Sequence, residues 1–70
     1  MSSKIGEKIR RIRQQKKMSQ DRLSKKADLA LNTIVKIETG ENPNPTLETL
    51  RKIAKALDVS LDQLLKNKTE

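Results

Sequence analysis

The chain has 70 residues, a length that suits one small domain, and it contains no aromatic residue, cysteine or histidine. This composition excludes disulfides, thiolate nucleophiles and imidazole metal ligands, and it disfavours single-stranded nucleic acid, whose binding proteins stack bases on aromatic rings. The net charge of +7 instead points to a polyanionic partner.

The positive charge is unevenly distributed along the chain. Residues 1–40 contain 11 Lys and Arg against 4 Asp and Glu, whereas residues 41–70 contain 5 of each. This asymmetry favours a polyanion-binding face, although a solvated lysine-rich surface remains the alternative. No apolar run is long enough to span a bilayer and no secretion signal is visible, so we predict a cytoplasmic protein without membrane contact.

Five helices are predicted in chain order, and no segment has the alternation of a strand. The first helix has one apolar stripe, formed by Ile5, Ile9 and Ile12. Ser3 is its candidate N-cap. A second helix begins at Ser19, whose hydroxyl can accept a hydrogen bond from the first turn. It buries Leu23 and Ala27 and ends near Asp28, because Asp tolerates the left-handed conformation.

The third helix is predicted over about residues 31–39 and directly follows the second. Ile34 and Ile37 face inward, and Gly40 ends the helix. Residues 41–45 form a loop, because their two prolines lack backbone donors and disfavour helix just before them. The second and third helices are thus two short helices that meet across a tight turn.

Two further helices complete the chain. Thr46 caps the fourth, whose inward stripe is predicted to contain Leu47, Leu50, Ile53, Ala54 and Leu57. Ser60 and Gln63 resemble a capping box for the fifth. That helix carries Leu61, Leu64 and Leu65. The polar tail 66–70 is expected to fray.

The outer face of the third helix carries side chains suited to reading DNA. At about 100° per residue, placing Ile34 and Ile37 inward turns Asn32, Lys36 and Thr39 outward. Asn can pair with N6 and N7 of adenine, and Lys can donate to O6 and N7 of guanine. The alternative is the ordinary polar face of any amphipathic helix. The neighbouring short helix and the basic first half favour double-stranded DNA.

Residues 5–65 resemble the lambda-repressor-like (Cro/XRE-type) helix-turn-helix family. The resemblance rests on an ordered set of residues: Ile9-Arg10, Arg13, Met18-Ser19-Gln20, Leu23, Thr33-Ile34, Lys36-Ile37-Glu38, Gly40, Asn44-Pro45, Leu47, Leu50, Ile53-Ala54, Ala56-Leu57 and Val59-Ser60-Leu61. It implies an all-α, compact five-helix bundle within a single domain, 1–70. Its helix-turn-helix would span about residues 19–39, with the third helix in the major groove.

The resemblance also implies roles for individual residues. The family's base-reading positions are occupied here by Leu31, Asn32, Thr33 and Lys36. Gln20 is assigned to the DNA backbone or an outer base, with an ordinary first-turn polar residue as the alternative. Asn44 falls where the family meets phosphate, with a simple turn-forming role as the alternative. Arg13 and Glu38 match a structural ion pair that ties the first helix to the third.

Two departures from the family pattern concern the turn before the third helix. Asp28 replaces the usual glycine, and Ala30 stands where a Ser or Thr cap is usual. Leu31 makes the start of this helix unusually apolar. Its side chain either contacts a thymine methyl group or anchors the turn as a hydrophobic residue, and we slightly favour the anchor.

The predicted function is a sequence-specific transcriptional regulator that binds a palindromic operator as a homodimer. The dimer surface is sought in the neutral C-terminal half, on whichever leucines of the fifth helix the core leaves exposed. An antitoxin-like module whose main partner is another protein is the alternative. We expect no enzymatic activity, cofactor, metal or small-molecule ligand, because catalytic and phosphate-binding motifs are missing and no sensing domain is visible.

Overall fold

The computed structural model describes residues 4–65, and this part of the protein consists of five α-helices. They are α1 (Lys4–Gln15), α2 (Gln20–Ala27), α3 (Leu31–Thr39), α4 (Leu47–Leu57) and α5 (Leu61–Leu65). The predicted all-α, five-helix architecture is confirmed. The cap predicted at Ser3 and the fraying predicted for 66–70 lie outside the described residues.

Local hydrogen bonds fix both ends of α2 as the sequence predicts. Ser19 Oγ accepts from the backbone N–H of Arg22 at 3.0 Å, which satisfies a donor that the first turn leaves unpaired. Asp28 ends the helix in the left-handed conformation with φ 58° and ψ 46°, and its N–H donates to the Lys25 carbonyl at 3.2 Å. A short polar residue at this position is sufficient where the family usually has glycine.

The start of α3 differs from the start of α2. Ala30 occupies the N-cap position with extended backbone angles, φ −68° and ψ 146°, and provides no side-chain hydrogen bond to the first turn. Gly40 ends the helix at φ 88°, a conformation that glycine adopts without steric cost. The helix therefore depends on its packing and on its C-terminal turn rather than on an N-cap side chain.

The last two helices begin at side-chain caps. Thr46 Oγ1 accepts from the Thr49 N–H at 3.2 Å at the start of α4. At α5, the Gln63 N–H donates to Ser60 Oγ at 3.1 Å while the Ser60 N–H donates to Gln63 Oε1 at 3.0 Å. These reciprocal bonds confirm the predicted capping box.

The core is entirely aliphatic and receives side chains from all five helices. Its fully buried residues are Ile9, Leu23, Ile34, Ile37, Ile53, Leu57 and Leu64. α1 packs against α3 and α5, α2 packs against α3 and α4, and α4 packs against α5. None of the five helices in residues 4–65 combines the length and the apolar character that a membrane span needs.

The predicted inward position of Leu47 is wrong. Leu47 is the first residue of α4 and 52% exposed, whereas Leu50, one turn later, is buried. Helical periodicity places both on one face, but the packed part of that face begins only at Leu50. On α5, Leu64 is buried and Leu65 is 50% exposed, so Leu65 leaves an apolar side chain at the surface.

Candidate nucleic-acid interface

The two faces of α3 have opposite character. Ile34 and Ile37 are completely buried, whereas Asn32, Lys36 and Thr39 are exposed. Thr33 and Val35, on the flanks, are half-buried. The orientation predicted from helical periodicity is therefore confirmed, and a polar stripe runs along the solvent side of this helix.

Leu31 belongs to the exposed side of α3, so the favoured interpretation of this residue as an anchor of the turn is wrong. Leu31 is 43% exposed, and the leucine that packs on the core at this turn is Leu29. Leu29 lies two residues after Ala27, the buried last residue of α2, and its N–H donates to the Ser24 carbonyl at 2.9 Å. A left-handed helix end of this kind places an apolar contact at the residue after the left-handed one, and here that residue is Leu29.

A buried ion pair lies beneath the C-terminal end of α3. Arg13 Nε donates to Glu38 Oε2 at 2.7 Å and Nη2 donates to Oε1 at 3.0 Å, with the Glu38 side chain only 2% exposed. Arg13 Nη1 also donates to the Met18 carbonyl at 2.7 Å. The pair that the resemblance implied thus joins α1 to α3, and the same guanidinium holds the turn before α2.

Gln20 is a third member of this cluster, which the sequence did not predict. Its Nε2 donates to Glu38 Oε1 at 3.0 Å, and its side chain is half-buried. The two residues are 18 positions apart, so no local spacing signals the contact. A primary amide has two N–H donors and an oxygen acceptor, so Gln20 retains capacity for a second partner while Glu38 fixes its orientation.

An open groove connects the buried cluster with the outer face of α3. Its volume is about 590 Å³, and its walls include Arg10, Gln14, Gln20 and Thr39. Thr39 is the last residue of α3 and belongs to the outer stripe. The groove therefore places Gln20, in the first turn of α2, beside the C-terminal end of that stripe.

The loop after α3 places Asn44 at the surface. Asn42, rather than Asn44, provides the side chain that forms the turn, because Asn42 Oδ1 accepts from the Asn44 N–H at 3.2 Å. The Asn42 N–H donates to the Lys36 carbonyl at 3.0 Å, which ties the loop to α3. The exposed Asn44 side chain is not the turn-forming group, and its assignment to phosphate remains a prediction.

The described part of the chain offers no obvious metal site. Among residues 4–65, no group of three Asp or Glu side chains comes together in a way that could hold a metal ion. The chemistry available at the surface of α3 is instead that of amide, hydroxyl, ammonium and aliphatic groups.

A compact helical bundle in which two short helices join across a left-handed turn, the second with a polar outer face, defines a helix-turn-helix protein. The family model described as "Helix-turn-helix" matches residues 9–64, and the chain belongs to this family in its lambda-repressor-like form. The predicted family is thereby confirmed.

The relatives are regulators of gene expression. The HTH-type transcriptional regulator SinR of Bacillus licheniformis is 36% identical over 66 residues, which cover 94% of this chain and 60% of SinR. The crystal structure of SinR, the master regulator for biofilm formation, in complex with DNA matches with a TM-score of 0.85 and 35% identity, covering 89% of this chain and 98% of that chain.

A third similar protein is the restriction-modification controller C.AhdI of Aeromonas hydrophila. Its structure matches with a TM-score of 0.85 and 31% identity, covering 89% of this chain and 92% of that chain. The chain thus spans about 60% of the length of the curated relative SinR, while it matches nearly the whole chain of C.AhdI.

Proposed function

We propose that this protein is a sequence-specific transcriptional regulator that binds double-stranded DNA with α3 in the major groove. The observation that carries the proposal is the division of α3 into a completely buried face, with Ile34 and Ile37, and an exposed face, with Asn32 and Lys36. The helix is therefore held firmly while its hydrogen-bonding groups remain available to base edges. The similarity to SinR, whose structure includes DNA, supports the same assignment.

Individual residues have distinct roles in this proposal. The base-reading positions are Leu31, Asn32, Thr33 and Lys36. Asn32 pairs with adenine and Lys36 donates to guanine, because these side chains match the donors and acceptors of those bases in the major groove. Two residues bind the DNA backbone: Gln20, whose side chain Glu38 orients, and Asn44, which is exposed in the loop after α3.

The regulator acts as a homodimer on a palindromic operator with half-sites about 34 Å apart. One domain reads few bases, and a second copy doubles the contacts. The dimer surface includes the exposed Leu65 of α5, in the half of the chain that has no net charge. The protein works in the cytoplasm, on the nucleoid, as a DNA-binding protein rather than an enzyme, and it needs no cofactor or small-molecule ligand.

Selection of bound duplexes from a random pool tests this function, with the label on the DNA because the chain has no Trp or Tyr. We expect a palindromic winner that binds about a thousandfold or more tightly than random DNA across a salt series. Uniform, steeply salt-dependent binding to every duplex would overturn the proposal. It would favour the antitoxin-like alternative, in which a protein is the main partner.

A further inference from the structure

The N-terminal end of α3 presents an apolar surface in an otherwise polar stripe. Within residues 4–65, three large hydrophobic side chains are exposed, at Leu31, Leu47 and Leu65, and only Leu31 lies on α3. Leu31 is the first residue of the helix, and the exposed Ala30 precedes it without capping the first turn. The aliphatic side chains of Ala30 and Leu31 therefore lie side by side in sequence at the start of the helix, directly before Asn32.

The position of this apolar surface matters more than its size. A single exposed leucine is normal on a protein surface and needs no explanation. The N-terminal residues of a recognition helix, however, are those that meet base edges in the major groove. Leu31 has no donor or acceptor, so it cannot pair with the polar edges of guanine, adenine or cytosine. Thymine alone among the standard bases displays an apolar group there, its C5-methyl.

We propose that Leu31 reads the 5-methyl group of a pyrimidine at one position of each half-site, beside the base that Asn32 contacts. The inference rests on the proposed function and names the chemical group that this end of α3 selects. Thymine carries the methyl group in ordinary DNA, and cytosine presents the same group at the same place once it is methylated at C5. Burying Leu31 against the methyl group removes apolar surface of both partners from water.

The test uses the duplex selected for the intact protein and changes one methyl group at a time. Each thymine is replaced by deoxyuridine, which keeps the base pair and removes only the methyl group. We expect Kd to rise about three- to fivefold at one position in each half-site, as for the loss of one buried methyl group, and to stay unchanged elsewhere. At that position, a 5-methylcytosine–guanine pair should bind more tightly than a cytosine–guanine pair by a similar factor.

Two variants decide whether Leu31 is the residue responsible. Leu31→Ala should greatly reduce the preference for the methylated base, because the shorter side chain buries less apolar surface, whereas Leu47→Ala, which truncates a similarly exposed leucine outside α3, should retain it in full. Far-UV circular dichroism verifies that both variants fold. A thymine–uracil difference that stays at its full size in Leu31→Ala would overturn the inference, as would a selected duplex that tolerates uracil at every position.

The outcomes of this experiment distinguish thymine from 5-methylcytosine as the source of the methyl group. They also distinguish failure of this inference from failure of the proposed function. A methyl effect at both thymine and 5-methylcytosine supports general recognition of the group, and an effect at thymine alone supports the inference with thymine as its source. Failure to select any duplex overturns the proposed function and the inference together. Selection of a duplex without any methyl effect overturns the inference alone.

Discussion

The inner and outer faces of α3 divide the nine residues of one helix into two sets with different surroundings. On the inner face, Ile34, Ile37 and Glu38 are buried, and Glu38 is bonded to side chains from α1 and α2. On the outer face, Asn32 and Lys36 are exposed to solvent. Different side chains of this helix therefore carry its packing and the proposed base preference, so the two are separable. Inner substitutions should change unfolding, and outer ones should change DNA binding.

The largest effect is expected on the inner face, from Glu38→Ala. The substitution leaves Arg13 buried without its carboxylate and removes the acceptor of the Gln20 amide. Breaking a buried ion pair by removing one partner typically costs about 3–5 kcal/mol. We therefore expect a large fall in the midpoint of thermal or urea unfolding, followed by far-UV circular dichroism because the chain lacks Trp and Tyr.

Two further variants give this prediction its controls. Glu41→Ala, which removes an exposed carboxylate in the following loop, should leave the unfolding midpoint almost unchanged. The double variant Arg13→Met/Glu38→Leu should recover part of the lost stability, because replacing both members of a buried pair by apolar groups removes the unpaired charge. A Glu38→Ala protein that melts like the parent would contradict the assigned role of the cluster.

The next largest effect is expected on the outer face, from Asn32→Ala. The substitution removes a side chain that can make two hydrogen bonds to adenine, so binding to the selected duplex should weaken by about 1–3 kcal/mol. The preference for one base should relax. The free energy of unfolding should stay within about 0.5 kcal/mol of the parent's value because the residue is exposed. Titrations of the selected duplex and its single-base variants measure both effects. An equal loss on every sequence would argue against direct readout.

Asn44→Ala provides the matched comparison, since it truncates the same residue type at another exposed position. Phosphate is common to all sequences, so the variant should weaken binding to every duplex alike, by about 1.5 kcal/mol for a lost hydrogen bond to a charged group. The slope of log affinity against log salt should remain that of the parent, because Asn carries no charge. Unchanged affinity would contradict the assignment of Asn44 to phosphate.

Much of the fold could be predicted because its signals are local. The stripes of isoleucine and leucine, the capping box at Ser60 and Gln63, and the tolerance of Asp28 for a left-handed helix end all depend on residues within one or two turns. The pairing of Arg13 with Glu38 came from the family resemblance, because 25 positions separate the two residues. Local sequence alone could not have joined them.

The errors and omissions share one physical cause, which is that tertiary packing decides them. Leu47 has the correct helical period but lies one turn before the packed part of α4. Leu29 and Leu31 stand two residues apart and are equally apolar, and only Leu29 packs against the core. The Gln20–Glu38 contact depends on how α2 packs against α3, and the spacing of the two residues in the sequence does not predict that packing.

The smallest effect is expected at the start of α3, where Ala30 provides no side-chain cap. Ala30→Ser supplies a hydroxyl at a position whose extended backbone already suits an N-cap, so it should stabilise the protein by about 1 kcal/mol. Ser19→Ala is the mirror experiment on α2, where the hydroxyl already accepts from Arg22, and it should cost about as much. Both shifts are measurable in urea unfolding. If Ala30→Ser left the midpoint unchanged while Ser19→Ala lowered it, the first turn of α3 would be satisfied without a side-chain cap, and its stability would rest entirely on the buried face.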